Sequence, residues 1–311
     1  MNIKFFNGLT KKDTGIAGGK GASLGEMTKA KISVPPGFVI LASAFDKFLE
    51  ETDINLEIEA QLKKVDVKKT NSIDDASEVL RHLINRYQMP KDLQKEILAA
   101  YDKLKVKYVA VRSSATAEDS KIASWAGELE SYLGINKKNL IRNVQKCWSS
   151  LFTPRAIFYR LEKKLGGKGV SVAVVVQKMI ESEVAGVCFT AHPVTKDKNQ
   201  MVIEASWGLG ESVVAGKVTP DTYIVSKKDL TILDINVNIQ KTQIKRVGNK
   251  TKTIPIPKNL QARQELSGKQ IIEVAKICKN IEKHYGFPCD IEWALEKGKF
   301  YIVQSRPITT L

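Results

Sequence analysis

The stretch that most constrains this chain lies near its end. From Cys289 to Pro307, polar and apolar residues alternate along two arms on either side of Lys297-Gly298, the period of paired strands with one face buried. Alternation puts Asp290 and Glu292 on one face of the first arm and Ile291, Trp293 and Leu295 on the other. Gln304 and Arg306 fall together on the second arm. Whether the two polar pairs share a face depends on the turn, because a one-residue change of register flips a whole strand. The favoured reading is a three-residue loop, a type I turn over Glu296-Lys297 followed by left-handed Gly298, which sets Glu292 opposite Ile302 or Gln304. A two-residue turn at Lys297-Gly298 would separate them. In the first case two carboxylates, an amide and a guanidinium converge, which suits Mg²⁺ held by one or two carboxylates plus substrate phosphates, with Arg gripping phosphate oxygens. The competing reading is a solvated hairpin face with an incidental salt bridge, and the rest of the chain decides between them.

At 311 residues, 43% hydrophobic and 27% charged, the chain has enough apolar material for two packed lobes. The formal charge of +15 favours an anionic partner. The lysines are dispersed among acids and apolar residues, as in Lys63-Lys64-Val65-Asp66-Val67-Lys68-Lys69, and no aromatic platform is interleaved with them, so nucleic acid is not the expected partner. Cys147, Cys188, Cys278 and Cys289 lack any C-x-x-C spacing, which suggests neither a zinc site nor a disulfide framework. The start lacks a signal-peptide core, and the longest apolar run, around Val170 to Val176, is far too short for a membrane span. A reducing cytoplasm is the expected compartment.

In chain order, residues 15 to 30 read as a glycine-rich loop entering a helix, with Ser23 and Glu26 at capping-box spacing. Such a loop can bring N–H groups and Lys20 to a phosphate, although it matches neither Walker A nor G-x-G-x-x-G. Residues 44 to 104 are helical and strongly charged, with apolar residues three and four apart. Tyr108 to Ser120 is a buried strand ending in a burst of hydroxyls, with Arg112 at its polar boundary, and a strand end followed by small polar residues is where α/β enzymes place ligand contacts. Gly127 would let backbone approach a ligand. Thr153-Pro154-Arg155 reads as an N-cap and first turn, from which Arg155 could reach an anion or merely face solvent. Val170 to Val176 is a buried strand running into Gln177-Lys178-Met179, an edge that suits a flat purine. His82 reads as a helix-surface histidine, His192 sits before Pro in a turn with no acid or cysteine partner nearby and so is not the expected nucleophile, and His284 reads as structural.

These segments resemble a known family. Gly-Gly-Lys-Gly-Ala-Ser-Leu-Gly-Glu-Met at the start, Val-Arg-Ser-Ser-Ala-Thr-Ala-Glu-Asp at 111 to 119, Ser-Leu-Phe-Thr-Pro-Arg-Ala at 150 to 156, Val-Gln-Lys-Met at 176 to 179, and Asp-Ile-Glu-Trp-Ala through Gln-Ser-Arg-Pro at the end resemble the nucleotide-binding domain of phosphoenolpyruvate synthase and pyruvate phosphate dikinase, shared by rifampicin phosphotransferase. The resemblance covers nearly the whole chain in order. It implies an α/β (α+β) ATP-grasp fold in which two lobes clamp ATP: 1–180, including the helical segment 44–104, and 181–311, including the hairpin 289–307. Carried over by position, Lys20, Arg112 and Arg306 would contact phosphates, and Gln177 and Met179 would lie at the adenine. Glu292 and Gln304 would hold Mg²⁺ and phosphate oxygens. Asp290, Glu204 and Arg155 match positions near the triphosphate, with Asp290 a further metal candidate. Phosphoryl transfer needs mainly positioning and charge neutralisation, which these residue types supply.

Two departures stand out. The family has Gly-Gln-Gln-Glu-Thr where this chain has Gly127-Glu128-Leu129-Glu130-Ser131, so Ser131 would replace a Thr near the nucleotide. Family members also continue into a swivelling domain with the phosphorylated histidine and then an acceptor domain, neither of which is in this sequence. The expected function is the ATP half-reaction of a dikinase, with a histidine on a separate chain or domain as acceptor and AMP as eventual product. The alternatives are a non-catalytic, regulatory nucleotide-binding module and the ATP domain of a rifampicin phosphotransferase-like enzyme.

Overall fold

A computed structural model describes residues 2–116, 130–162, 171–248, 250–309 and 311. The chain forms two compact units: the first comprises residues 1–26 and 36–179, the second residues 27–35 and 180–311. The fold class is mixed, with helices packed on antiparallel sheets.

Unit 1 contains, in chain order, β1 (Ile3–Phe5), α1 (Thr14–Lys29), β2 (Gly37–Ile40), α2 (Ala42–Thr52), α3 (Asn55–Lys63), α4 (Thr70–Arg86), α5 (Lys91–Leu104), β3 (Val109–Ala115), β4 (Ser131–Ile135), α6 (Lys137–Ser149), α7 (Pro154–Glu162) and β5 (Val172–Lys178), with α1 running through the unit boundary at Glu26. Its sheet has the order β1-β2-β5-β3-β4, antiparallel throughout. Alternation on β3 sends Val109 and Val111 to one side, where they join Val172, Val174, Val176, Phe38 and Ile40 in a core with the helices. Apolar spacing on α4 supplies Ile73, Ala76, Leu80, Leu83 and Ile84 to that core. Trp148 of α6 fills its centre, stacked on Phe48 at 5.2 Å.

Unit 2 contains β6 (Val184–Phe189), β7 (Gln200–Trp207), α8 (Glu211–Val214), β8 (Asp221–Ser226), β9 (Ile232–Asn236), β10 (Thr242–Val247), β11 (Lys250–Pro255), α9 (Gly268–Tyr285), β12 (Cys289–Glu296) and β13 (Lys299–Pro307). Its main sheet runs β13-β12-β6-β7-β8-β9, and β10-β11 is a separate ribbon. A capping box of Ser267 and Gln270 opens α9, and left-handed Gly286 (φ 80°) closes it. Among the described residues no helix is long and apolar enough to cross a membrane.

Three local expectations are corrected. The hairpin turn has two residues, since Glu296 pairs with Lys299, and Lys297 (φ 51°) and Gly298 (φ 74°) are both left-handed, as a type I′ turn requires because its twist matches the strands. Ser23 is no helix cap: α1 is helical from Thr14 and breaks only at Gly18 (φ 67°, ψ 170°), so Ser23 lies in the helix interior, and the local capping box is that of Thr10 and Asp13. The Gln177 segment is not a sheet edge either. β5 lies inside the antiparallel sheet between β2 and β3, where Val172 to Val176 are fully buried.

Candidate functional site

In unit 1 the candidate residues gather on the sheet face opposite the helical core. Paired residues of adjacent strands share a face. Arg112 on β3 pairs with Ser131 on β4 and with Val175 on β5, and Gln177 pairs with Ala110 and Gly37. Residues two apart keep that face, so Ser114 joins Arg112, Ser131 and Gln177. The helix α1 lies on it: a Cβ on Gly21 would come within 2.9 Å of Val39 Cγ2, and one on Gly18 within 2.1 Å of Ser114 Oγ. Lys20 follows directly, its backbone N–H donating to Ser114 Oγ at 3.2 Å.

Gln177 is 2% exposed, and its Nε2 has no hydrogen-bond partner among the described residues. A buried, unpaired amide of this kind costs free energy unless something binds it. Met179, also buried, follows the strand end, where its N–H donates to Tyr108 C=O at 3.1 Å. Arg155 lies on α7. Thr153 caps α7, its Oγ1 accepting from Ala156 N–H at 3.2 Å, and exposed Arg155 projects from the first turn. Gly127 lies outside the described residues.

Neighbouring β4 is anchored by a residue that was not singled out from sequence. Glu130 accepts from Arg81 Nη2 at 2.7 Å and from the Tyr132 hydroxyl, while its C=O accepts from Ser113 N–H at 3.1 Å and Ser113 Oγ at 2.8 Å. That anchoring fixes Ser131 beside Arg112. No local pattern announces it, because Arg81 comes from a helix 49 residues away.

In unit 2 a β-bulge does what the turn does not. A two-residue turn alone would set Glu292 against Val303, but the register shifts between Glu292 and Trp293, and Glu292 pairs with Gln304 while Asp290 pairs with Arg306. Val303 is the spare residue. Along the same row Glu292 pairs with Val187 and Val187 with Glu204, so Asp290, Glu292, Gln304, Arg306 and Glu204 share one face. Arg306 Nε and Nη2 lie 2.8 and 2.6 Å from Asp290 Oδ2. Burial pushes the Asp290 carboxyl above its usual range, the Arg306 guanidinium pulls it back, and Glu292 raises it again. Burial and then Asp290 likewise raise Glu204.

This donor set fits a divalent cation that shares its ligands with a phosphate. Like charges crowd a half-buried face, which a cation would relieve. Among the described residues no three of His, Cys, Asp and Glu form a closed metal cage, whereas Mg²⁺ takes only one or two carboxylates from a protein when phosphates complete its shell. His192 has a structural role, its Nδ1 accepting from Val194 and Thr195 N–H, both at 3.2 Å.

A probable phosphoenolpyruvate synthase of Methanocaldococcus jannaschii is 49% identical across 99% of this chain and 27% of its own length. Phosphoenolpyruvate synthase of Pyrococcus furiosus is 42% identical across 99% of this chain and 44% of its own. Rifampicin phosphotransferase of Bacillus subtilis is 37% identical across 97% of this chain and 35% of its own. The chain thus spans less than half the length of these curated relatives. Residues 14–311 match the family described as pyruvate phosphate dikinase, AMP/ATP-binding domain, and the chain belongs to that family.

Proposed function

We propose that this chain binds Mg-ATP and carries out the ATP half of a dikinase-type phosphotransfer, passing phosphate to a histidine on a separate domain or chain, with AMP as the eventual nucleotide product. The observation that carries the reading is the row that sets Glu292 opposite Gln304 and Asp290 opposite Arg306 in a chain of this family. In this reading, which takes the fold as an ATP-grasp, Gln177 and Met179 meet the adenine, and Lys20, Arg112 and Arg306 meet phosphates. Gly127, Ser131, Arg155 and Glu204 complete the nucleotide contacts. Glu292, Gln304 and Asp290 hold Mg²⁺, which when bound neutralises charge on phosphate oxygens. Arg306 is held in place by Asp290, and the cations offset charge as it develops.

The relatives' greater length supports the existence of a histidine-bearing partner, and their names support pyruvate as the final acceptor, with rifampicin phosphotransferase as the example of a different one. Free thiols at all four cysteines accord with the cytoplasm. Calorimetric titration of Mg-ATP into wild type and Glu292→Gln tests the reading. Saturable binding that needs Mg²⁺ and weakens in the variant supports it, and absence of binding to the wild-type chain sinks it. Incubation with ATP labelled in turn at each phosphate and with the histidine-bearing portion of a relative should then yield acid-labile phosphohistidine. Slow AMP release without such transfer would instead favour a regulatory module.

A further inference from the structure

We infer that Ser114 is a positioning residue for Lys20: a serine on a strand caps a helix 94 residues away in sequence and so fixes where that lysine stands. The inference rests on the reading of Lys20 as a phosphate contact and deepens it.

The helix α1 is interrupted at Gly18, whose φ of 67° and ψ of 170° lie in a region that only glycine occupies readily. A helix restarting after such a break exposes N–H groups in its first turn that have no partner within the helix. Ordinarily a Ser, Thr, Asp or Asn at the cap accepts one of them. Here Gly18 occupies the break, and it has no side chain with which to cap. Ser114 supplies the missing oxygen from β3, its Oγ accepting the Lys20 N–H at 3.2 Å.

Ser114 is fully buried, so water cannot substitute for it. The approach is too close for any side chain at 18, since a Cβ there would lie 2.1 Å from Ser114 Oγ and 2.5 Å from Ser114 C=O. Two requirements therefore meet at one contact. Glycine at 18 lets the strand and helix touch, and the hydroxyl at 114 holds the next turn in place. Because Arg112 precedes Ser114 by two residues on the same face of β3, one short strand segment carries Arg112 and also sets the backbone of Lys20. The spacing of the two cations is thus built into β3 and does not depend on the conformation of the glycine-rich segment by itself.

The test is Mg-ATP and AMP affinity, by calorimetry, for wild type, Ser114→Ala, Ser114→Thr, Lys20→Met and the double variant Ser114→Ala/Lys20→Met. Loss of the cap should weaken Mg-ATP about fivefold, the equivalent of one lost cap, and leave AMP nearly unchanged, because AMP lacks the terminal phosphates that a lysine would hold. Ser114→Thr, which keeps the hydroxyl, should restore Mg-ATP affinity. In the Lys20→Met background the Ser114→Ala effect should vanish, as coupled residues demand. Equal weakening of ATP and AMP, or full additivity with Lys20→Met, would reduce Ser114 to a fold-stabilising residue and overturn the inference while leaving Mg-ATP binding by the wild type intact. If Ser114→Ala does not fold, Ser114→Cys, similar in size and a poor acceptor, is read the same way. A wild-type chain that binds no Mg-ATP overturns both this inference and the function on which it rests.

Discussion

Glu265 and Asp221 set their carboxyls beside each other in the interior of unit 2, where Asp221 is fully buried and Glu265 is 7% exposed. Asp221 also accepts from Asn238 N–H at 2.8 Å, the Tyr223 hydroxyl at 3.1 Å and Glu265 N–H at 3.3 Å. Burial first, and then Asp221, push the Glu265 carboxyl up to about 10, so the folded chain keeps a proton that an unfolded chain releases near the ordinary Glu value. A carboxyl raised in this way stabilises the fold fully below the unfolded value and progressively less as pH climbs toward the folded one. Thermal unfolding of wild type should therefore show stability draining away from about pH 5 upward. Glu265→Gln, which keeps a donor and cannot ionise, should flatten that slope; equal slopes in the two proteins would mean that the pair does not share a proton.

Gly186 is a second point of high cost. A Cβ there would lie 1.8 Å from Glu204 C=O and 2.7 Å from Trp293 Cζ2, so β6 can lie between β7 and β12 only with glycine at that position. Gly186→Ala should destabilise unit 2 by roughly 3 kcal/mol, measured by denaturant unfolding. A loss under about 0.5 kcal/mol, the range of an ordinary surface change, would show that the sheet yields easily there.

The candidate face of unit 2 should make nucleotide binding sensitive to acid. Burial holds the Asp290 and Glu204 carboxyls above their usual ranges, so both take up protons at a higher pH than free carboxylates do, and a protonated carboxyl neither holds a cation nor pairs with Arg306. Mg-ATP affinity should begin to fall on acidification at a higher pH than ordinary carboxylate titration would give. Asp290→Asn should bind more weakly at neutral pH and show a shallower acid limb. A wild-type affinity constant down to about pH 4.5 would rule out titration of these groups as a control on binding.

Arg81 and Glu130 offer a fourth check. With side chains about one-third exposed, their ion pair contributes little by itself, yet it ties β4 to α4. Arg81→Ala should lower stability by no more than about 1 kcal/mol while loosening Ser131, which would appear as faster amide exchange at 131–132. Unchanged exchange there would show that Ser113 alone holds Glu130.

Much of this molecule was legible from sequence because its signals are local. The alternation of 289–307 and the helical spacing of Ala76, Leu80, Leu83 and Ile84 survive in the structure, as does the cap at Thr153. What was not legible arises from contacts across long separations. The break at Gly18 and the cap from Ser114 depend on a strand 94 residues away, and β5 becomes interior only because β2 and β3 arrive on either side of it. The hairpin shows the limit most clearly. Lys297 was expected in a right-handed turn position, as the usual three-residue hairpin ending in left-handed Gly298 has it, but strand twist favours the two-residue turn, and the grouping of Glu292 with Gln304 was recovered for a different reason from the one that predicted it.

The spare residue in that hairpin bears on how sites of this kind are recognised in other chains. The eleven residues from Trp293 to Val303 separate the carboxylate from the amide, but the ladder itself needs only ten of them, because Val303 lies outside the pairing. A relative with one residue fewer would present the same two side chains face to face on an unbroken ladder. A pattern written with a fixed gap between Glu292 and Gln304 would pass over it. The trait to look for is the shared face, which a one-residue gap in an alignment leaves intact.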